Sequence, residues 1–228
     1  MLGEIVWAAK TKGKMRARKR NMKKEPYLKR NVILTEYTEE WLNKYNAESQ
    51  LWVDMLNDNL VAIHHVGSTA IGTIKAKPII DIMIVTKQLE RLDTFSSILL
   101  GKGYEVKGEN GISGRRYFQK DINGERVYHI HAYEEGHKEI ADHILFRDYM
   151  RENLTCALEY EKLKMQLAST YPNDKKEYGK GKDEYIQKII KKARARAETK
   201  GRCPKFRLTS GWSGQVSTLA AHPSVGRI

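Results

Sequence analysis

An almost continuously apolar run at residues 78–85, interrupted by the single carboxylate Asp81, constrains the fold of this chain most. A run of this length and composition is typical of a central strand that is buried on both faces of a sheet. Because a lone carboxylate is costly to bury, Asp81 needs a metal ion, a cationic side chain or backbone donors as its partner. A structural salt bridge and a functional site both fit this pattern. The candidate cations are Lys75, Lys77, Arg115 and Arg116.

The patterns around this strand predict an α/β (α+β) fold, a small mixed sheet flanked by helices, with a C-terminal helical part. The pair Asn123-Gly124 between two alternating segments is a strong hairpin signal. Strands are predicted at residues 60–66, 78–85, 104–107, 115–121 and 126–133. Helices are predicted at residues 35–57, 89–101, 138–171 with a break near Asn153, and 183–197.

The positive charge of this chain lies mainly at its two ends. The formal net charge is +13, yet residues 1–31 hold a net +9, residues 192–228 a net +7 and residues 32–191 a net −3. We therefore expect a basic, disordered arm at 1–31, a folded domain at 32–197, and a disordered tail or non-native extension at 198–228. The alternatives for the first segment are an arm that binds nucleic acid or an anionic surface, and a start assigned too early. Nucleic acid is expected as a partner only through these basic ends.

The composition also narrows the compartment. No apolar run approaches the roughly 20 residues that span a bilayer, so no membrane partner is expected. The two cysteines, Cys156 and Cys203, lie far apart, which argues against a disulfide framework or a structural zinc site. The sequence predicts a soluble protein of the reducing cytoplasm.

The first candidate for binding chemistry is the turn Gly67-Ser68-Thr69, which directly follows a predicted strand. A glycine lets a phosphate group approach the backbone closely, and a serine hydroxyl can donate to a phosphate oxygen. The alternative is an ordinary structural turn, because a Gly-Ser pair after a strand is common.

The second candidate is the pair His129 and His131 on the last predicted strand. Residues two apart in a strand point to the same face, so both imidazoles can serve one metal site or one acid–base pair. The alternative is one exposed and one hydrogen-bonded histidine. His64 and His65 point to opposite faces, so at most one of them is expected near the same site.

Several separate motifs, in order, resemble the GrpB-like family, a branch of the polymerase-beta-like nucleotidyltransferase superfamily. The central ones are the segments His65-Val66-Gly67-Ser68-Thr69-Ala70 and Lys77-Pro78-Ile79-Ile80-Asp81-Ile82. The others are Tyr37-x-x-x-Trp41, Tyr128-His129-Ile130-His131, Phe146-Arg147-Asp148-Tyr149-Met150-Arg151, Tyr160-x-x-x-Lys164 and Tyr178 with Gly181-Lys182. The resemblance covers about residues 32–194 and implies a nucleotidyltransferase-like fold.

The resemblance also implies roles for individual residues. Asp81 would hold a divalent metal, Mg²⁺ or Mn²⁺ with Zn²⁺ as an alternative, and His131 would hold the metal or carry a proton. The nucleotide would be bound by Gly67, Ser68, Thr69 and Lys182. Independently of the resemblance, Arg115 and Arg116 follow a glycine-rich loop and are candidates to bind the phosphate groups or an acidic acceptor; the alternative is a solvated strand edge. The superfamily pattern expects a second carboxylate two residues after Asp81, but the chain has Met83 there, and a thioether is a poor ligand for Mg²⁺.

Two functions are compatible with these residues. The first is a metal-dependent nucleotidyltransferase that moves NMP from an NTP to an unidentified small-molecule or protein acceptor. The alternative is a non-catalytic module that binds a nucleotide or a partner on a degenerate nucleotidyltransferase fold. The chain contains no G-x-x-x-x-G-K-[ST] sequence, so a P-loop kinase is not predicted.

Overall fold

A computed structural model describes residues 31–199 of the chain, and these residues form a five-stranded mixed sheet with helices on both faces. The strands are β1 (Leu60–Val66), β2 (Ile80–Thr86), β3 (Tyr104–Val106), β4 (Arg115–Ile122) and β5 (Glu125–Glu134). Their order is β1-β2-β5-β4-β3, and every neighbouring pair is antiparallel except the parallel pair β2–β5. The predicted small mixed sheet is confirmed.

Five α-helices and three short 3₁₀ segments complete the described region. The α-helices are α1 (Glu40–Leu56), α2 (Ser96–Gly101), α3 (Lys138–Glu152), α4 (Leu154–Thr170) and α5 (Lys175–Thr199). The 3₁₀ segments are Asn57–Asn59, Ser68–Ala70 and Leu89–Phe95. The C-terminal helical part is confirmed, with the predicted break at Asn153 separating α3 from α4. Among the described residues, no helix is long and apolar enough to cross a membrane.

Strand β2 is buried on both faces, as its apolar run predicts. Ile80, Ile82 and Ile84 face α1, where they pack in one cluster with Trp41 and Trp52. The alternate residues Met83 and Val85 face α3 and pack with Ile140 and Ile144. Since side chains alternate along a strand, Asp81 lies on the α3 face of the sheet.

The hairpin β4–β5 forms at the predicted turn. Asn123 and Gly124 both have positive φ values, 53° and 81°, the backbone that tight two-residue hairpins require. This hairpin brings β5 next to β2 in parallel register, with Asp81 opposite His129 and Met83 opposite His131. The central carboxylate and the histidine pair are therefore neighbours across two adjacent strands.

The starts of three helices differ from the prediction, and α1 begins at Glu40 instead of residue 35. The segment predicted as one helix at 89–101 begins as the 3₁₀ helix Leu89–Phe95, because its buried residues Leu89 and Leu92 are three apart and match a three-residue turn. The last helix begins at Lys175 instead of residue 183, although Gly179 and Gly181 disfavour helix. Gly181 packs so closely on Leu167 of α4 that a Cβ there would lie 3.0 Å from Leu167 Cδ1. Tertiary packing thus overrides propensity.

Most of the predicted arm (1–31) and tail (198–228) lies outside the described residues. Helix α5 continues to Thr199. Cys156 is a free thiol on α4, and Cys203 lies outside the described residues.

Candidate functional site

The turn after β1 and the carboxylate on β2 are in direct contact. Gly67 has φ +72°, in the left-handed region that favours glycine. A Cβ at this position would lie 2.9 Å from Asp81 Cγ and nearer still to Oδ2, so a side chain would displace the carboxylate. The contact arises because β1 and β2 are antiparallel with Val66 opposite Asp81. Only glycine fits between the two strands here.

Two arginines of α3 hold the backbone on either side of this turn. Arg147 Nη1 donates to the carbonyl of His65 at 2.9 Å, and Arg151 Nε donates to the carbonyl of Ala70 at 2.7 Å. They lie one helical turn apart, so they share the face of α3 that contacts the turn. Thr69 is buried and donates its hydroxyl to the carbonyl of Ile79 at 3.3 Å. These bonds fix the position of the turn relative to the start of β2.

Both histidines of β5 face Asp81. His129 Nδ1 lies 3.1 Å from Asp81 Oδ1, and His131 Nε2 lies 3.7 Å from the same oxygen. Burial by itself would raise the pKa of Asp81, but the hydrogen bonds and charges of His129 and His131 outweigh it and hold that pKa well below its usual range. Asp81 is therefore a carboxylate at neutral pH, with 27% of its side chain exposed.

Burial has the opposite consequence for His131. It lowers the pKa of this imidazole, and the nearby carboxylate of Asp81 only partly opposes the effect. The side chain also contacts Arg115, whose Nη1 lies 3.5 Å from His131 Nδ1. Since arginine can only donate, His131 Nδ1 is the acceptor and Nε2 carries the proton that faces Asp81.

The position for a second carboxylate is filled by a core residue. Met83 has no exposed surface and packs with Val66, Val85 and Tyr133 under α3. In the region from residue 31 to 199, no group of three or more His, Cys, Asp or Glu side chains could hold a metal ion. A two-metal centre needs several carboxylate oxygens, so these residues do not fit one.

Three lysines and two tyrosines lie beside the turn. The ammonium groups of Lys77 and Lys182 stand over the ring of Tyr178, 5.1 Å and 4.7 Å from its centroid. Lys164 Nζ stands 4.9 Å from the centroid of Tyr160 and donates to the carbonyl of Lys75. We call Lys77, Lys164 and Lys182 the lysine cluster.

The lysine cluster is connected to both the turn and the carboxylate. The side chain of Ser68 lies close enough to Tyr160 to oppose in part the rise in the Tyr160 pKa that burial causes. Burial lowers the pKa of Lys164 to about 7 and that of Lys182 to about 8, and like charge adds to the effect, from Lys182 on Lys164 and from Lys77 on Lys182. The carboxylate of Asp81 acts in the opposite direction on Lys77 and Lys182. Asp183 acts in the same direction as Asp81 on Lys182, and Glu161 does so on Lys164.

The structure brings most of the predicted site residues together. Gly67, Ser68, Asp81, His131 and Lys182 lie in one contiguous group with the lysine cluster. Thr69 borders this group and ties the turn to β2.

The two predicted arginines of β4 lie on opposite faces of the sheet. Arg115 is buried beside His131, and its guanidinium donates to the carbonyls of Glu109 at 3.1 Å and Asn110 at 2.7 Å. It therefore holds the glycine-rich loop before β4. Arg116 points the other way and pairs with Asp93 through two bonds, at 2.7 Å and 2.8 Å. The structure does not bring Arg116 to Asp81.

The sequence patterns assign no role in the site to three members of this group, Tyr160, Lys164 and Tyr178, and they indicate Lys77 only as a partner for Asp81. A signal was present, because Tyr160 and Lys164, like Tyr178 and Lys182, are four residues apart and share a helix face.

The earlier histidine pair lies apart from the carboxylate. His64 and His65 make no hydrogen bond to Asp81 within the described part of the chain. His65 Nε2 instead lies 3.0 Å from Thr69 Oγ1. His65 therefore supports the turn and does not bind at the carboxylate.

Comparisons with known proteins agree on one family. A family model described as GrpB protein matches residues 31–192. The UPF0157 protein YqkA of Bacillus subtilis (strain 168) is 44% identical over 71% of this chain and 47% of YqkA, so the chain spans about half of that relative. The crystal structure of the conserved protein GrpB from Enterococcus faecalis has a TM-score of 0.67 and 38% identity, and the match covers 71% of this chain and 96% of that chain.

A weaker likeness is to Cid1 in complex with its short product ApU, with a TM-score of 0.44 and 13% identity over 64% of this chain and 48% of that one. A likeness of this size indicates nothing about function. The family match covers the whole sheet, the turn, Asp81 and the lysine cluster. The chain belongs to the GrpB family.

Proposed function

We propose that the turn at Gly67-Ser68 and the lysine cluster together bind the phosphate chain of a nucleoside triphosphate. The observation that carries the proposal is the lysine cluster beside Ser68. The ammonium groups of Lys77 and Lys182 are partly buried, yet they make no ion pair or hydrogen bond with any other residue of the described range. A half-buried cation with no anion at ion-pair distance is unfavourable, and a bound phosphate chain would supply that contact.

The turn suits the same ligand. Gly67 has no side chain to block the approach of a phosphate group, and the adjacent Ser68 is partly exposed with a hydroxyl that can donate. Arg147 and Arg151 of α3 hold this turn in place before the ligand binds. Binding therefore loses little conformational entropy in the turn. The buried Tyr160 and Tyr178 support the lysine side chains from behind.

A second candidate is the transfer of NMP from the bound NTP to a small-molecule or protein acceptor. The ionised and partly exposed carboxylate of Asp81 next to the proposed phosphate site favours it. This candidate requires a divalent ion, Mg²⁺, Mn²⁺ or Zn²⁺, with Asp81 and His131 as its protein ligands. Because Met83 replaces the second carboxylate, binding without transfer is the better supported of the two.

Binding is tested by calorimetric titration of each NTP, with Gly67→Ala as the probe of the site. We expect the wild-type chain to bind and Gly67→Ala to bind at least about tenfold more weakly, because the new Cβ displaces Asp81 and the turn. Gly72→Ala is the matched control, since Gly72 also has positive φ but has no atom within 4 Å of a Cβ. Equal binding by Gly67→Ala and the wild type would place the ligand elsewhere.

Transfer is tested by pyrophosphate release from each NTP with Mg²⁺, Mn²⁺ or Zn²⁺. Release by the wild type and its loss in Asp81→Asn would establish the enzyme. If the chain binds a nucleotide but releases no pyrophosphate with any of these ions, the candidate that stands is the non-catalytic binding module. If no NTP binds under any condition, both candidates fail.

A further inference from the structure

The lysine cluster also bears on how the negative charge of a phosphate chain is neutralised. We infer that it binds the polyphosphate chain without a divalent metal, so that lysine ammonium groups take the place of the ion. This inference rests on the proposed function, because it concerns the ligand of the same site. It extends the ligand class to metal-free polyphosphates, whether inorganic or attached to a nucleoside.

The first reason is the lack of a second carboxylate at the position for a metal ion. Asp81 is the one carboxylate among the described residues that touches the histidine pair, and its charge acts on the ammonium groups of both Lys77 and Lys182. Divalent metals are held in such sites by clustered carboxylates, and here the second position is the buried Met83. Asp183 and Glu161 act on Lys182 and Lys164, but neither touches the histidine pair, so the position for a metal ion offers a single carboxylate.

The second reason is that Asp81 already has partners. His129 Nδ1 lies 3.1 Å from its Oδ1, and the Nε2 proton of His131 faces the same oxygen at 3.7 Å. A metal ion at this carboxylate would have to displace these contacts. The lysine ammonium groups have no such competitor, because Lys77 and Lys182 are without an ion pair in residues 31–199.

The third reason is accessibility. Lys77, Lys182 and Ser68 are each partly exposed and can meet a ligand, whereas Lys164 is buried behind them with its ammonium on the carbonyl of Lys75. Burial, and after it the charge of a neighbouring lysine, lowers the pKa values of Lys164 and Lys182. An arriving phosphate chain would restore their usual protonation.

The test compares inorganic triphosphate and ATP, each titrated by calorimetry into the full chain with EDTA and with excess Mg²⁺. We expect inorganic triphosphate to bind in EDTA, with a Kd within about threefold of its value in Mg²⁺. Lys182→Met should weaken this binding about ten- to a hundredfold, because one charged contact is lost. Lys188→Met, which changes an exposed lysine of the same helix, should leave it unchanged. Lys77→Met is the second probe if Lys182→Met does not fold.

Asp81→Asn separates the two modes of binding by the sign of its effect. If the lysines bind the polyphosphate without a metal ion, removing the negative charge of Asp81 leaves the Kd for triphosphate in EDTA unchanged or lowers it. If a metal ion joins ligand and protein, the same change abolishes binding. Binding only in Mg²⁺, lost in Asp81→Asn, overturns the inference and leaves the proposed function intact. Binding of ATP but not of inorganic triphosphate in EDTA also overturns the inference alone, and no binding in any arm overturns both.

Discussion

At the scale of single residues, a buried lysine makes the stability of this protein depend on pH. Burial lowers the pKa of Lys164 from 10.5 to about 7, so the folded state holds its neutral form more readily than the unfolded chain does. Between these values the unfolded state binds more protons, and the free energy of unfolding rises with pH. We expect urea denaturation to give a higher free energy of unfolding at about pH 9 than at about pH 7.

Lys164→Met provides the control for this prediction. The variant lacks the titrating group, so its gain between the same two pH values should be smaller, with the remainder contributed by Lys182, whose pKa is about 8. Phosphate affinity should change in the opposite direction, because the lysines lose their charge as the pH rises. An equal gain in wild type and variant would show that Lys164 does not titrate in this window.

Some residues of the site could be predicted from the sequence by their type and position. Gly67, Ser68 and Asp81 stood out because a turn after a strand and a carboxylate in an apolar run are unusual in recognisable ways. Lys164 and Tyr178 appeared only as members of family motifs without a role in the site, because side-chain packing alone places them beside the turn.

At the scale of elements, the close packing of α5 on α4 explains only one of the two glycines inside α5, Gly181. A Cβ added at Gly179 would meet no atom within 4 Å, whereas a Cβ at Gly181 would overlap the side chain of Leu167. Gly179→Ala should therefore raise the free energy of unfolding by about 0.5–1 kcal/mol, the usual gain from replacing a helical glycine. Chemical denaturation measures the change.

Gly181→Ala is the matched comparison in the same helix. It gains the same helix propensity, but the side chain of Leu167 has to move, so its net gain should be smaller or negative. An equal gain for the two variants would mean that α4 accommodates a methyl group at no cost.

Elements with strong local patterns were predictable, and elements that depend on partners were not. Strand β1 and the β4–β5 hairpin follow from alternation and from Asn123-Gly124. The early start of α5 and the 3₁₀ form of Leu89–Phe95 were not predicted, because packing on α4 and the spacing of two buried leucines decide them.

At the scale of the whole molecule, charge is separated between the ends and the middle. Residues 32–191 carry a net −3, whereas residues 1–31 carry a net +9. We expect any affinity of the full chain for single-stranded RNA to fall steeply with salt and to be lost when residues 1–30 and 200–228 are both removed, because the second end is basic as well. Binding of inorganic triphosphate should not change, because the lysine cluster lies between residues 77 and 182. Fluorescence anisotropy in a salt series measures the RNA affinity, and calorimetry measures the binding of triphosphate. RNA binding that survives the removal would point to a surface of the folded region.

The sequence by itself determined the mixed sheet, the central strand, the turn at Gly67-Ser68 and the missing second carboxylate at Met83. These follow from local alternation, turn chemistry and residue identity, which need no knowledge of distant neighbours. Only the tertiary structure decided which cations gather beside the turn. Lys77, Lys164 and Lys182 come from a loop and two separate helices, and their contact depends on how α4 and α5 pack beside the sheet. Such packing sums many weak contacts between segments far apart in the chain, and no local pattern records that sum.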